Sequence, residues 1–116
     1  MGDVMRDPNC IFCRIIDRQI PSTMVSEDED YIAIRDINPQ APTHVLVIPK
    51  NHITDVTVAD DAAALGKLFQ AVTKVAKAEG LSSFRLVANT GPESGQTVFH
   101  LHIHLLGGRA MHWPPG

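Results

Sequence analysis

The stretch Val98-Phe99-His100-Leu101-His102-Ile103-His104-Leu105-Leu106 holds three of the chain's six histidines at strict two-residue spacing. Apolar residues fill the positions between them. A period of two is that of a β-strand, whose successive side chains point to opposite faces. On a strand, His100, His102 and His104 line one face. Phe99, Leu101, Ile103 and Leu105 line the other and can enter a core. On a helix only His100 and His104 would share a face, and the apolar residues would scatter around the cylinder. We therefore read a strand, ended by the turn-forming pair Gly107-Gly108.

That spacing limits the chemistry. His100 and His104 would stand roughly 13 Å apart on a strand, too far to share one metal ion. One pair could chelate, but not all three. At least one imidazole is then free to act as nucleophile, acid, base or anion contact. A buried row of imidazoles is costly unless each finds a partner, so three in register point to function rather than to chance.

The chain of 116 residues suits one domain around one core. Its 44% hydrophobic and 20% charged content is that of a globular protein. Net charge is −3 and no basic run occurs, which argues against nucleic acid as a partner. No apolar run approaches the ~20 residues of a membrane span. The first residues lack a basic-then-apolar secretory layout, so a cytoplasmic location is expected. In that reducing setting, Cys10-x-x-Cys13 is better suited to metal than to a structural disulfide. It is half of a zinc site, and His52 and His100 are the candidates for the other half. The βαβ surroundings of a redox CxxC are missing.

The rest of the chain fills in a scaffold. Residues 1–9 are polar and expected to be flexible. Apolar positions 11, 12, 15 and 16 have helical spacing, with Pro21 as the stop. Residues 24–26, 31–34, 43–48 and 84–89 read as strands, and Glu27-Asp28-Glu29-Asp30 as a solvated turn. Two prolines at 39 and 42 impose an irregular loop. Asp60 or Asp61 can cap a helix whose stripe is Leu65, Leu68, Phe69, Val72, Val75 and Ala76, and Gly80 ends it. Two adjacent prolines make the C-terminal tail extended. Five strands around one long and one short helix give an α+β fold with an antiparallel sheet. No GxxxxGK[ST] phosphate loop is present.

HxHxH followed by two apolar residues resembles the histidine-triad (HIT) superfamily of nucleotide hydrolases and transferases. The resemblance extends to Asp36-Ile37-Asn38-Pro39-Gln40-Ala41-Pro42-Thr43-His44, to Val47-Ile48-Pro49-Lys50, and to Asn89-Thr90-Gly91 through Gly95-Gln96-Thr97. The ending Gly107-Gly108-Arg109 with Met111-His112-Trp113-Pro114-Pro115-Gly116 is similar to the Hint branch, the purine nucleoside phosphoramidases. It covers roughly residues 10–116, a single HIT domain with an extended C-terminal tail.

The resemblance implies a HIT-like fold, a homodimer whose sheets join into one, and a site for AMP or GMP. It makes His102 the nucleophile on the α-phosphorus, with a nucleotidyl-histidine intermediate that water resolves. His104 and His44 would fix its tautomer and contact phosphate. Asp36 would accept ribose hydroxyls, with Ile37 against the base. Asn89, Gly95, Gln96 and Thr97 would meet phosphate and leaving group. Asp36 could equally cap its loop. Thr97 stands where the Hint branch carries serine; it keeps the hydroxyl but restricts χ1. No cofactor is implied for catalysis. A structural zinc on Cys10, Cys13, His52 and His100 is compatible, since some HIT proteins carry one. The tail with His112 and Trp113 would pack over the dimer seam. The rival readings are a dinucleoside polyphosphate hydrolase or nucleotidyltransferase, a nucleotide-binding regulatory protein with vestigial activity, and a zinc-dependent hydrolase.

Overall fold

The computed structural model describes residues 5–116. Of the N-terminal segment expected to be flexible, residues 1–4 lie outside the described part. Residues 5–9 form specific hydrogen bonds: the His52 N–H donates to the Met5 carbonyl, and the Asp7 N–H to Cys13 Sγ.

Among the described residues two α-helices and five strands follow in the order α1 (Ile11–Ile16), β1 (Met24–Glu27), β2 (Tyr31–Arg35), β3 (Thr43–Pro49), α2 (Ala62–Ala78), β4 (Phe84–Val87) and β5 (Ile103–Gly107), with single 3-10 turns at Val56–Val58 and Pro92–Ser94. The strands form one sheet in the order β1-β2-β3-β5-β4, with every neighbouring pair antiparallel. This is the expected α+β architecture, with one long and one short helix.

The period of two sorts each central strand between two apolar layers. On one face Ala33, Val45, Val47, Ile103 and Leu105 pack under Leu68, Val72 and Val75 of α2. On the other, Ile32, Ile34, Leu46 and Ile48 pack against Phe12, Ile15 and Ile16 of α1. Both faces are covered, so β2 and β3 read as continuous apolar runs rather than alternating ones. His44 and His104 share the parity of the α1 layer and continue that face past its apolar end.

Several elements differ from expectation. The histidine strand begins only at Ile103. Val47 is the partner of Ile103, so the ladder would next bring Pro49 opposite Leu101. Proline has no N–H to donate, and pairing stops. Leu101 N–H turns to the Ile53 carbonyl instead, and Phe99 is 47% exposed rather than in the core. β4 likewise ends at Val87, short of Asn89.

α1 ends at Ile16, well before Pro21. Arg18 is left-handed (φ 62°), and the N–H groups of Arg18 and Gln19 bond back to the carbonyls of Ile15 and Arg14. That is a Schellman stop made by a non-glycine residue. Ile11 on this helix is exposed, as is Phe69 on α2, so both apolar stripes are narrower than the sequence suggested. Asp61 caps α2 through the Ala64 N–H, and Gly80 follows its end with φ 73°. The acidic turn is not wholly solvated: Glu27 pairs with Lys50 and Arg18, which holds its carboxyl below the usual range.

Candidate active site

β3 and β5 bring His44 and His104 together. The register pairs Leu46 with His104 and His44 with Leu106, so the two histidines are diagonal neighbours on one face. His44 Nε2 lies 2.9 Å from His104 Nδ1. The proton in that bond can be assigned. The Gln40 backbone N–H donates to His44 Nδ1 at 3.0 Å, so this nitrogen carries the lone pair. Neutral His44 therefore has its proton on Nε2 and donates it to His104 Nδ1. Neutral His104 must then carry its own proton on Nε2, as a donor not used by this pair.

His102 stands just ahead of β5 and is buried. Its Nδ1 is 2.6 Å from the His100 carbonyl oxygen. A carbonyl only accepts, so Nδ1 holds the proton and Nε2 presents its lone pair. Phe12 stands edge-on to this ring, centroids 5.0 Å apart at 87°. Burial lowers the His102 pKa, against the pull of the His100 carbonyl and Asp36. Burial, with His102 and His44 nearby, lowers that of His104 to about 4. Both rings are neutral near pH 7, the form in which a histidine is a nucleophile.

Asp36 does two things at once. Its Oδ1 accepts from the Asn38 N–H at 2.8 Å, the loop-capping role. Its Oδ2 faces His44 Nε2 at 3.5 Å. Ile37 beside it is fully exposed. In the 89–97 loop, Gly91 and Gly95 both have positive φ, 88° and 95°. A Cβ at Gly95 would lie 3.6 Å from Asn89 Nδ2, so these two residues meet. Thr97 is exposed, its hydroxyl in reach of solvent.

Gln96 is placed differently from its neighbours. It is 3% exposed. Its Oε1 accepts from the Gly91 N–H, and its Nε2 donates to the Thr54 and Val98 carbonyls. All of its amide hydrogens and its oxygen are engaged, so it braces the loop from beneath.

The second half of the cysteine site is where the sequence suggested. Donor atoms of Cys10, Cys13, His52 and His100 all lie within 4.8 Å of one another. His100 Nδ1 is 3.4 Å from Cys10 Sγ and 3.5 Å from Cys13 Sγ, and His52 Nδ1 is 3.4 Å from Cys13 Sγ. Sulfur and nitrogen on one tetrahedral zinc lie roughly 3.5 Å apart. His100 Nε2–H donates to the Pro49 carbonyl at 2.8 Å, which leaves Nδ1 as the lone pair aimed at the thiols. Burial pushes the Cys13 thiol up to about 11, and a cation would be needed to hold it as thiolate. The donor set fits zinc.

A second cluster, Asp36, His44 and His104, also has donor atoms within 4.8 Å. It does not fit a metal. The Gln40 N–H fixes the His44 proton on Nε2, the nitrogen a metal would need. That group is a hydrogen-bonded chain that runs from the Gln40 N–H through His44 to His104. Three features of the wider site escape sequence reading: the Gln40 backbone contact, the bracing amide of Gln96, and the Phe12 edge. None has a side-chain pattern that distinguishes it from an ordinary loop or core position.

A neutral imidazole with one free nitrogen, flanked by a hydrogen-bonded histidine pair on a five-stranded antiparallel sheet, defines a histidine-triad protein. The family profile described as the HIT domain matches residues 17–111, and the chain belongs to the HIT family. It is 51% identical to the 14 kDa zinc-binding protein of Zea mays, covering 95% of this chain and 90% of that one. It is 48% identical to adenylylsulfatase HINT1 of Arabidopsis thaliana, covering 95% of this chain and 78% of that one. The crystal structure of a HIT family hydrolase from Legionella pneumophila superposes with a TM-score of 0.90 at 51% identity, over 93% of this chain and all of that one.

Proposed function

We propose that this protein hydrolyses purine nucleoside 5′-phosphoramidates, and related acyl-adenylates, to the nucleoside monophosphate. The observation that carries this reading is the bond from His102 Nδ1 to the His100 carbonyl, which leaves Nε2 free to attack.

In this reading Nε2 attacks the α-phosphorus. The bond to the leaving amine breaks, and its electron pair departs with the amine, which takes a proton from the site. Water then attacks the nucleotidyl-histidine, its proton returns to the group that protonated the amine, and the electron pair of the P–N bond returns to the imidazole. Splitting one hard displacement into two is the gain of covalent catalysis. His104, with its proton on Nε2, is suited to a phosphate oxygen; His44 holds it in that tautomer. Asp36 takes the ribose hydroxyls and Ile37 the purine. Asn89, the glycine-bearing backbone at Gly95, and Thr97 serve phosphate and leaving group. Gln96 supports that loop rather than touching the ligand.

Cys10, Cys13, His52 and His100 would hold a structural zinc, closed by four protein ligands. The zinc-binding name of the maize relative agrees with this. When bound, the ion would cross-link α1 to the segments that follow β3 and precede β5. No cofactor enters the chemistry, and His102 lies outside the four ligands.

We also propose a homodimer in a cytoplasmic setting. β4 is an edge strand with Phe84 exposed, Phe69 of α2 is exposed, and Trp113 in the tail is 82% exposed. Those are surfaces a partner protomer would cover. No helix among the described residues is long and apolar enough to cross a membrane.

The test is AMP release from adenosine 5′-phosphoramidate, with acid-quenched mass spectrometry for the adenylylated protein. Turnover by wild type, loss in His102→Ala, and an adduct on His102 are expected. AMP binding without turnover would leave a nucleotide-binding regulatory protein. The name of the Arabidopsis relative favours a second leaving group, sulfate, so adenylyl sulfate belongs in the same assay. Faster turnover of dinucleoside polyphosphates than of either would move the assignment within the superfamily.

A further inference from the structure

His100 belongs to two sites at once. Its ring Nδ1 faces both thiols of the Cys2His2 group, and its main-chain carbonyl holds the proton of His102 Nδ1. The segment that carries both residues has no strand ladder, because β5 starts only at Ile103. Its remaining supports are few. Leu101 N–H bonds the Ile53 carbonyl, Gln96 Nε2 bonds the Val98 carbonyl, and the His100 ring bonds the Pro49 carbonyl. His100 is fully buried, and Phe12 stands edge-on to its ring as well as to that of His102, with a centroid separation of 5.9 Å.

We infer that metal occupancy of the Cys10-Cys13-His52-His100 group positions the nucleophile, through His100. Ligation would fix the His100 ring from the thiol side while Pro49 fixes it from the other. With its ring held at both nitrogens, the main-chain carbonyl of the same residue is held too. That carbonyl decides where His102 keeps its proton and where Nε2 points. Without the metal, the ring Nδ1 has only sulfur contacts of 3.4 and 3.5 Å on that side, and this side of the clamp is lost. His100 is thus a positioning residue, and the metal group is more than a staple for α1.

The same geometry accounts for the placement of His52. Its N–H is tied to the Met5 carbonyl, and Met5 N–H to Asn51 Oδ1. Arg6 reaches the Lys50 carbonyl and Asp17. The N-terminal strap therefore closes over the metal group and not over the pair of His44 and His104. Loss of metal is expected to disturb His102 and to spare that pair.

The inference rests on His102 as the nucleophile, but its primary readout does not need turnover. We would compare zinc-loaded and metal-stripped wild type, at a temperature where circular dichroism shows both folded. The ring 15N shifts of His102 report which nitrogen bears the proton. The loaded form is expected to give a pure Nδ1–H pattern. The stripped form is expected to give an averaged one, restored by adding zinc, while His44 and His104 keep their pattern. In the phosphoramidate assay kcat should fall about 10–100-fold on stripping, the size of other outer-shell effects, with KM nearly unchanged. Val75→Ala serves as control: a cavity on the α2 side lowers thermal stability but should leave the His102 pattern and kcat unchanged.

An unchanged His102 pattern in the stripped, folded protein would overturn the inference. If the stripped protein unfolds, the zinc- and cadmium-loaded forms replace the pair. Longer cadmium–sulfur bonds move the His100 ring, so different His102 shifts sustain the coupling and identical shifts overturn it. If loaded wild type shows no turnover on any substrate, the hydrolase reading fails, while the 15N comparison still decides the coupling.

Discussion

His44 and His104 sit one diagonal apart on adjacent strands, with Nε2 of the first 2.9 Å from Nδ1 of the second. The direction of that bond is set from outside it, by a backbone N–H at Gln40. A loop residue with no chemistry of its own therefore fixes the tautomers of two imidazoles. The proton on His104 Nε2 is the end of a chain that begins in the main chain, and no carboxylate has to be protonated to create it.

Removing His44 should expose this dependence. His44→Ala leaves His104 Nδ1 without its donor, so both tautomers of His104 become accessible. The expected loss is about 10²-fold in kcat, in the range of one positioned proton donor. KM should change far less, because Asp36 and the 89–97 loop remain. The measurement is steady-state kinetics on adenosine phosphoramidate. A rise in KM with kcat intact would mean that His44 contributes to binding alone.

The buried imidazoles also fix a pH profile. Burial lowers the pKa of His102, and lowers that of His104 to about 4. The ordinary value is about 6.5. The nucleophile thus stays neutral below the pH at which a free histidine charges. Plotted against pH, kcat/KM should run flat through the ordinary imidazole range and fall only at more acidic pH. Folding stability follows the same sign. Between about 6.5 and 4 the unfolded chain binds more protons than the folded one, so the His104 contribution is full above 6.5 and is lost as pH falls. Urea midpoints across that window check it; stability that rose on acidification would contradict the burial of His104.

How much of this was legible beforehand depends on where the information lies. Side-chain pattern, as alternation in the histidine strand, apolar runs in β2 and β3 and helical stripes in α1 and α2, located the five strands and the two helices and put His102 beside His104. Strand ends depend on the partner strand, and there the reading overran. The histidine run looks like nine strand residues, yet Pro49 on the neighbouring strand denies it a donor and the ladder begins at Ile103. Residues 98–100 bend instead of continuing the strand, and 101–102 run unpaired into β5. The cysteine half of the Cys2His2 group could be named because its spacing is diagnostic, whereas His52 and His100 were candidates that the fold brings to it. The use of Gln96 could not, since a glutamine in a glycine-bearing loop looks the same whether it touches a ligand or braces the turn.

Gln96 therefore has its own expected phenotype. Replacement by alanine strands the Gly91 N–H and the Thr54 and Val98 carbonyls in a part-buried place, which puts the cost toward the low end of the range for buried groups. Unsatisfied buried groups cost about 1–3 kcal/mol. Gln96→Ala should lower the urea midpoint and slow turnover by loosening the loop. Gln96→Glu should be worse, because the Nε2 donor becomes an acceptor facing two carbonyls. If Gln96→Ala were as stable as wild type and lost only nucleotide affinity, the side chain would be a ligand contact after all.

The end of the histidine strand gives the sharpest structural test. Gly107 pairs with Thr43 on one side and Phe84 on the other, so its backbone is held on both edges. A Cβ placed there would come within 2.7 Å of both methyl groups of Leu81. Leu81 packs against the α2-side core while itself only half-buried, so its methyl groups must swing aside and give up part of that packing. Gly107→Ala should therefore cost about 1–3 kcal/mol, the range for overpacking a filled core. The cause is a single pair, and so it can be relieved. Leu81→Ala alone also destabilises, by removing apolar contact. Combined with Gly107→Ala it should cost less than the sum of the two, because each change removes the other's clash or void. A double-mutant cycle from urea melts measures this directly. Strict additivity would mean that the strand end shifts bodily to make room, and then His104, three residues upstream on the same strand, should lose its bond to His44 and its activity along with it.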